Sequence, residues 1–266
     1  MIRYDVGDDH VARLTLDRPD AKNALTVEMR DDIVASVRRA RSDRHVRSLL
    51  ITGVGDAFCS GMDLRESTVG DAGGEGFDPR TTSEALRVGV QAFIRELWEL
   101  DKPTVAAVNG TAVGPGAHLA LACDFVLTCE QTSFIWSFAR WGLVVDAGGA
   151  YLLPRLVGLP RAKALVMLGD RVGGADAVAA GLAYRCVPST DELSTAASEL
   201  AVRLAAGPTR SLGLSKVLLN ASFETPLPES LEREGQAQAM AATSPEMAEG
   251  MAAFKERRQP DFPGLR

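Results

Sequence analysis

The sequence predicts an α/β protein with a helical C-terminal appendage, on two observations. Strand-forming runs, Gly-rich turns and helical runs follow one another in the order strand, turn, helix, strand between Ser48 and Thr128. That order gives a sheet core with helices outside it. From Gly207 onward no strand pattern remains, and Pro and Ser separate the helical runs. The boundary falls near Gly207, giving a core over residues 1–206 and a helical region over 207–266.

The elements are expected as follows. Ile2 to Val6, the polar turn Gly7-Asp8-Asp9 and the run from Val11 to Leu16 read as a hairpin. Asp17-Arg18-Pro19-Asp20 is a loop by its Pro and Asp content. Thr26 can cap a helix running to about Arg41, with Glu28 in its first turn. Ser48 to Thr52 is a strand, ended by Gly53-Val54-Gly55. Residues 67–80 hold Gly70, Gly73, Gly74, Gly76 and Pro79, so they read as a loop, either a plain linker or an active-site flap. A helix from about Thr82 to Leu100 follows, then a buried strand at Thr104 to Val108. Gly110 to Gly116 is a Gly-rich turn, Ala117 to Ala122 a helix and Phe125 to Thr128 a strand. In the tail, Ser211 to Ala221, Leu227 to Ala242 and Pro245 to Arg258 are helices.

Composition narrows the class. The chain has 266 residues, 46% hydrophobic and 24% charged, with a net charge of −6. That is enough chain for a large core, and the negative balance argues against a broad nucleic-acid footprint. The four cysteines (Cys59, Cys123, Cys129 and Cys186) form no CxxC pair and sit in apolar or small-residue runs, which suits reduced thiols in a reducing compartment. No apolar run reaches the ~18 residues of a membrane span, and the N-terminus does not read as a signal peptide. A cytoplasmic location is expected, with no metal and no redox cofactor.

Four segments, in order, resemble the crotonase (enoyl-CoA hydratase/isomerase) family. They are Asp17 to Leu25 (DRPDAKNAL), Gly53 to Leu64 (GVGDAFCSGMDL), Lys102 to Asp124 beginning KPTVAAVNG, and Gly148-Gly149 through Leu153-Pro154-Arg155. The resemblance implies a crotonase-like ββα spiral core, a trimerising helical tail and a homotrimer or dimer of trimers. It implies an acyl-CoA thioester as substrate, with coenzyme A entering only as part of that substrate. In such chemistry two main-chain N–H groups polarise the thioester carbonyl so that an enolate can form, and each such donor is worth roughly 10²–10³ in rate. The match assigns one donor to Met62. The other donor position falls on Pro115, which has no N–H, so Gly116 at the start of the next helix is the expected substitute. Ala24, Ser60, Gly61, Asp63, Leu64 and Gly114 fall in the same substrate-binding loops.

The acids and bases depart from the hydratase pattern. Family hydratases hold a water between two glutamates, and the matching positions here are His118 and Phe138. Asp146, eight residues after Phe138, matches the proton-shuttling aspartate of family isomerases, and the run from Phe134 to Arg155 is most similar to the 1,2-epoxyphenylacetyl-CoA isomerase branch. Asp is also a common helix N-cap, which would lower its pKa, whereas Phe138, Trp141, Val144 and Val145 would raise it by desolvation. His118 reads either as a hydrogen-bonded core residue or as a pocket wall and second proton carrier. Trp136 and Trp141 read as core or acyl-pocket walls.

For the coenzyme, Lys22 lies in the family's CoA-channel loop. Phe254 and Arg257 match family residues that reach a neighbouring subunit's nucleotide, where a guanidinium suits phosphate; a solvated basic helix end is the alternative. The leading expectation is an acyl-CoA isomerase. A weak hydratase and a non-catalytic acyl-CoA-binding homologue remain open. A dehalogenase lacks the histidine it needs within residues 89–93, and a serine peptidase lacks its GxSxG elbow.

Overall fold

A computed structural model describes residues 1–63, 65 and 79–265. Two sheets organise it. The larger runs β1 (Ile2–Val6), β2 (Val11–Leu16), β3 (Ser48–Gly53), β5 (Thr104–Val108), β7 (Phe125–Cys129) and β10 (Arg185–Val187). Only the β1–β2 pairing is antiparallel. The smaller sheet runs β4 (Ala57–Cys59), β6 (Thr111–Val113), β8 (Ser133–Ile135) and β9 (Val172–Gly173), with β4, β6 and β8 parallel. The pairs β3/β4, β5/β6 and β7/β8 each place one strand in each sheet and are followed by helix. This is the ββα spiral the resemblance implied, and the α/β expectation holds.

Parallel strands covered on both faces lack polar alternation, and β5 (TVAAV) is buried at every position. Leu49, Ile51, Ala106 and Val108 face the main core. Leu50, Val105 and Ala107 face the small-residue stripe Leu193, Ala197, Ala201 and Ala205 of α8 (Thr190–Ala205). Successive side chains of a strand point to opposite faces, so one run serves both clusters.

The helix expected after Thr26 spans α1 (Val27–Ser42), and the Thr26 Oγ1 accepts the Met29 N–H at 3.1 Å. Two expectations need correction. The helix over 82–100 is two helices, α2 (Pro79–Val88) and α3 (Val90–Trp98), broken at Gly89. A Cβ there would lie 2.6 Å from the Ala85 carbonyl oxygen and 2.3 Å from Arg30 Nη1. The turn over 110–116 contains β6, and its helix, α4 (Pro115–Leu121), starts at the proline, as suits a residue without an N–H. Most of the Gly-rich loop expected over 67–80 lies outside the described residues, and Pro79 and Arg80 open α2.

The helices α5 (Gly149–Val157), α6 (Leu159–Leu168) and α7 (Gly174–Ala180) complete the core region. Beyond Gly207 the described elements are helices only: α9 (Thr209–Asn220), α10 (Leu227–Ala242) and α11 (Pro245–Glu256). Lys216 of α9 ties this region to the sheets. Its Nζ lies 3.0 Å from Asp124 Oδ2 and donates to the carbonyls of Leu97 and Lys102. The same carboxylate oxygen accepts from the Thr104 N–H and hydroxyl. Lys216→Met is expected to lower unfolding free energy by about 2 kcal/mol, since it removes a charge-assisted bond to Asp124 and leaves the Leu97 and Lys102 carbonyls without that donor; urea unfolding checks this, and an unchanged midpoint would contradict it.

Candidate active site

Three loops leave the same end of the parallel strands β4, β6 and β8 and line one cavity of about 420 Å³. Crevices beyond the carboxyl ends of parallel strands are common ligand sites. The first loop brings Ser60, Gly61, Met62 and Asp63, the second Val113, Gly114 and Pro115, and the third Ser137, Phe138, Trp141, Leu143 and Asp146. The start of α1 adds Val27 and Arg30 beside Leu25, and Thr82, Ala85, Leu86 and Val90 of α2 and α3 close the remaining side.

The first loop is clamped by the 18–25 segment. Lys22 O accepts the Ser60 N–H at 3.0 Å, the Leu25 N–H donates to Gly61 O at 2.8 Å, and the Asp63 N–H donates to Leu25 O at 2.9 Å. The last two bonds form a parallel bridge between Leu25 and Met62. In that geometry the groups flanking Met62 are used and its own N–H points away from Leu25. Among the described residues the Met62 N–H has no main-chain acceptor.

The clamp is itself held by Asn23, whose Oδ1 accepts the Arg18 N–H at 2.8 Å while its Nδ2 donates to the carbonyls of Val54 and Ala57. Arg18 donates to Asp63 Oδ2 at 2.7 Å and Arg65 does so at 2.8 Å. Their hydrogen bonds hold the Asp63 carboxyl well below the usual carboxylate range.

Two glycines shape the walls. Gly61 takes φ +94° against Val113 O, and Gly114 takes φ 48°, ψ −117°, with the Phe138 ring 3.3 Å from where a Cβ would stand. An L side chain is strained at both positions.

Asp146 lies on the loop before α5, and two left-handed residues, Ala147 (φ 45°) and Gly148 (φ 77°), then swing the chain into that helix. Its Oδ1 is buried and has no hydrogen-bond partner among the described residues. It does not cap α5: the N-cap is Gly148, without a side-chain bond. Burial pushes the Asp146 carboxyl up to about 6, opposed in part by its own main-chain N–H. Of the expected desolvating neighbours, Phe138 is buried and Val145 half-buried, but Val144 is 82% exposed and Trp141 63%. Trp141 lines the cavity from its rim, whereas Trp136 is wholly buried core.

Several expected residues stand elsewhere. His118 is fully buried and does not line the cavity. Its Nε2 accepts the Trp136 indole N–H at 2.9 Å, and its ring stacks on Phe138 at 5.9 Å. Burial lowers its pKa to about 4, a main-chain contact from Asp146 opposing, so it is a neutral ring propping the Phe138 wall. Gly149 makes room for it, since a Cβ there would lie 2.2 Å from the imidazole. Gly116, the expected second donor, lies behind the lining, where a Cβ would meet Cys59 O at 2.4 Å. Lys22 and Ala24 are outside the lining too: Lys22 Nζ sits 3.8 Å from Asp56 at the surface, and Ala24 is buried. Leu64 lies outside the described residues. Phe254 and Arg257, near the end of α11, are exposed and away from this cavity in the same chain.

The helical stretch after the 67–80 loop was expected to shape the acyl pocket, and Thr82, Ala85, Leu86 and Val90 do line the cavity; sequence reasoning missed Arg30. Arg30 stands one helical turn beyond Val27, a spacing that puts both on one face of α1; nothing in the sequence says that this face meets a cavity. Among the described residues no group of His, Cys, Asp or Glu could hold a metal ion, and no helix is long and apolar enough to cross a membrane. The four cysteines are free thiols.

The sequence matches the enoyl-CoA hydratase/isomerase family over residues 7–265. A Rhodobacter capsulatus protein named "probable enoyl-CoA hydratase" is 37% identical over 263 residues, covering 99% of this chain and 98% of its own. The Escherichia coli K12 1,2-epoxyphenylacetyl-CoA isomerase is 36% identical over 258 residues, 96% of this chain and 95% of its own. The crystal structure of a Bacillus anthracis enoyl-CoA hydratase superposes with a TM-score of 0.90 at 30% identity, covering 99% of each chain. The chain therefore belongs to the enoyl-CoA hydratase/isomerase family, whose members act on acyl-CoA thioesters.

Because burial raises the Asp146 pKa, its neutral form is favoured on folding. That stability is present below the ordinary carboxylate range and is lost as pH rises through about 6. Asp146→Asn is therefore expected to melt higher than the wild type at pH 8, with the gap closing by pH 4.5. Thermal melts across that range check it, and a constant gap would contradict it.

Proposed function

We propose that this chain is an acyl-CoA isomerase: Asp146 takes a proton from the acyl group and returns it at another carbon, while the Met62 N–H holds the enolate oxygen. The observation that carries this is a cavity with one available carboxylate among the described residues. Its lining holds Asp63 and Asp146. Asp63 is tied to two arginines, whereas Asp146 Oδ1 has no partner.

Water addition needs a base to activate the water and an acid to protonate the neighbouring carbon, with the water held between them. Phe138 offers neither, and His118 stands behind the wall. Moving a proton along a chain needs one group that is a base first and an acid afterwards. A pKa near 6 suits both roles. The Met62 N–H polarises the thioester carbonyl and acidifies the adjacent carbon, and as the C–H bond breaks, its electrons pass into the enolate. The apolar walls Leu25, Leu86, Val90, Val113 and Phe138 keep water from quenching it. The hydratase alternative draws on the name of the Rhodobacter capsulatus relative. Phe254 and Arg257 we assign to a neighbouring subunit's coenzyme in a homotrimer, from the family resemblance.

In deuterated water the wild type is expected to place label at the α or γ carbon of an enoyl-CoA without forming 3-hydroxyacyl-CoA. Asp146→Asn is expected to lower that exchange by about 10³-fold or more, at the upper part of the range for general acid–base groups. The wild-type rate should rise with pH through about 6 and then level off. Mass spectrometry of the thioesters reads all of this. Full exchange by Asp146→Asn, or 3-hydroxyacyl-CoA as the main product, would overturn the assignment.

A further inference from the structure

Arg30 is a cation that the proton shuttle leaves unused. It projects from the first turns of α1 into the cavity lining between Val27, Leu86 and Val90. Among the described residues its side chain has no hydrogen bond or ion pair, and its Nε is buried without a partner. The fold makes room for it: Gly89, at the α2–α3 break, has no Cβ, and one there would lie 2.8 Å from the guanidinium carbon. Asp63 in the same lining is already neutralised by Arg18 and Arg65. Arg30 enters the lining from α1, beside Leu86 and Val90 of α2 and α3, whereas Asp146 enters it from the loop after β8.

The Arg30 side chain is partly buried, and its buried Nε–H lacks an acceptor that a ligand in the cavity can supply. It is the only Lys or Arg among the described lining residues. A diphosphate calls for several cations, whereas a single planar fork suits one carboxylate held bidentately at the end of a hydrocarbon chain.

We propose that Arg30 selects acyl groups bearing a carboxylate at the end remote from the thioester, so that the preferred substrates are coenzyme A monothioesters of dicarboxylic acids. This rests on the cavity's holding the acyl group and is independent of proton transfer at Asp146. No covalent step is involved: the carboxylate replaces water at the guanidinium as the acyl group enters, leaving the reacting carbons to Met62 and Asp146.

Binding of hexanedioyl-CoA and of the methyl ester of its free carboxyl, measured by calorimetry, tests it. Both carry the same coenzyme phosphates, and neither has a double bond to move, so failure of the Asp146 exchange experiment would leave this result unaffected. The wild type is expected to bind the acid at least about tenfold more tightly than the ester, a modest yield for one charge-assisted pair. Arg30→Met should lose that preference while binding the ester as the wild type does, and Arg30→Lys should keep part of it. Equal wild-type binding of acid and ester would overturn the proposal without need of any variant. So would Arg30→Met weakening both alike, which would put the guanidinium on the coenzyme phosphates. Binding of neither compound would remove the assignment of the cavity to the acyl group as well.

Discussion

An ionised carboxylate in water is held by several hydrogen bonds, and the chemistry proposed here depends on one that has lost them. Asp146 Oδ1 is buried and faces no donor, and desolvation alone dominates its raised pKa. A single donor aimed at that oxygen would stabilise the anion and weaken it as a base. The surrounding structure keeps donors away. The N-cap of α5 falls on Gly148, so the helix end is not presented to the Asp146 side chain. Trp136 spends its indole N–H on His118, and Phe138, which also lines the cavity, carries no donor.

The other half of the site is built from the main chain and is held by side chains that never reach the cavity. In the proposed chemistry Met62 acts through its N–H, and its side chain takes no part. That N–H is aimed by the bridge to Leu25, the bridge is anchored by Asn23, and the loop's charge is neutralised by Arg18. Lys22 and Asn23 both adopt left-handed backbone (φ 50° and 55°) in this clamp, a conformation Asn tolerates better than most residues. Strain in the clamp and an unpartnered acid opposite it are the marks of a site supported by its scaffold.

Much of this was legible in the sequence because it depends on local chemistry. Thr26 reads as a cap because a hydroxyl three residues before an N–H can accept from it, and it does. Pro115 opens a helix because it lacks an N–H, and Asp146 stands out as the acid that remains once Phe138 is read as inert. What was not legible depends on contacts distant in sequence. β6 is a three-residue strand whose only reason to extend is pairing with β4 and β8. The break at Gly89 reflects the Arg30 guanidinium packed where a Cβ would be. His118 becomes a structural ring because Trp136, 18 residues away, gives it a proton donor. Val144 was expected to desolvate Asp146, yet it stands in solvent on a loop that follows no helix or strand period, so its neighbour in sequence is not its neighbour in space.

Among the described residues the cavity's charges are thus a neutralised aspartate in the clamp, Asp146 with an unpartnered oxygen and Arg30 on the α1 side of the wall. The central claim is spatial, that Met62 N–H and Asp146 address one thioester. A crystal structure with a non-reactive enoyl-CoA analogue tests it most directly. The account predicts the thioester oxygen at hydrogen-bond distance from Met62 N, with the Asp146 carboxyl against the α and γ carbons. A carboxyl turned away from the acyl chain, or an oxygen seated far from Met62, would contradict it.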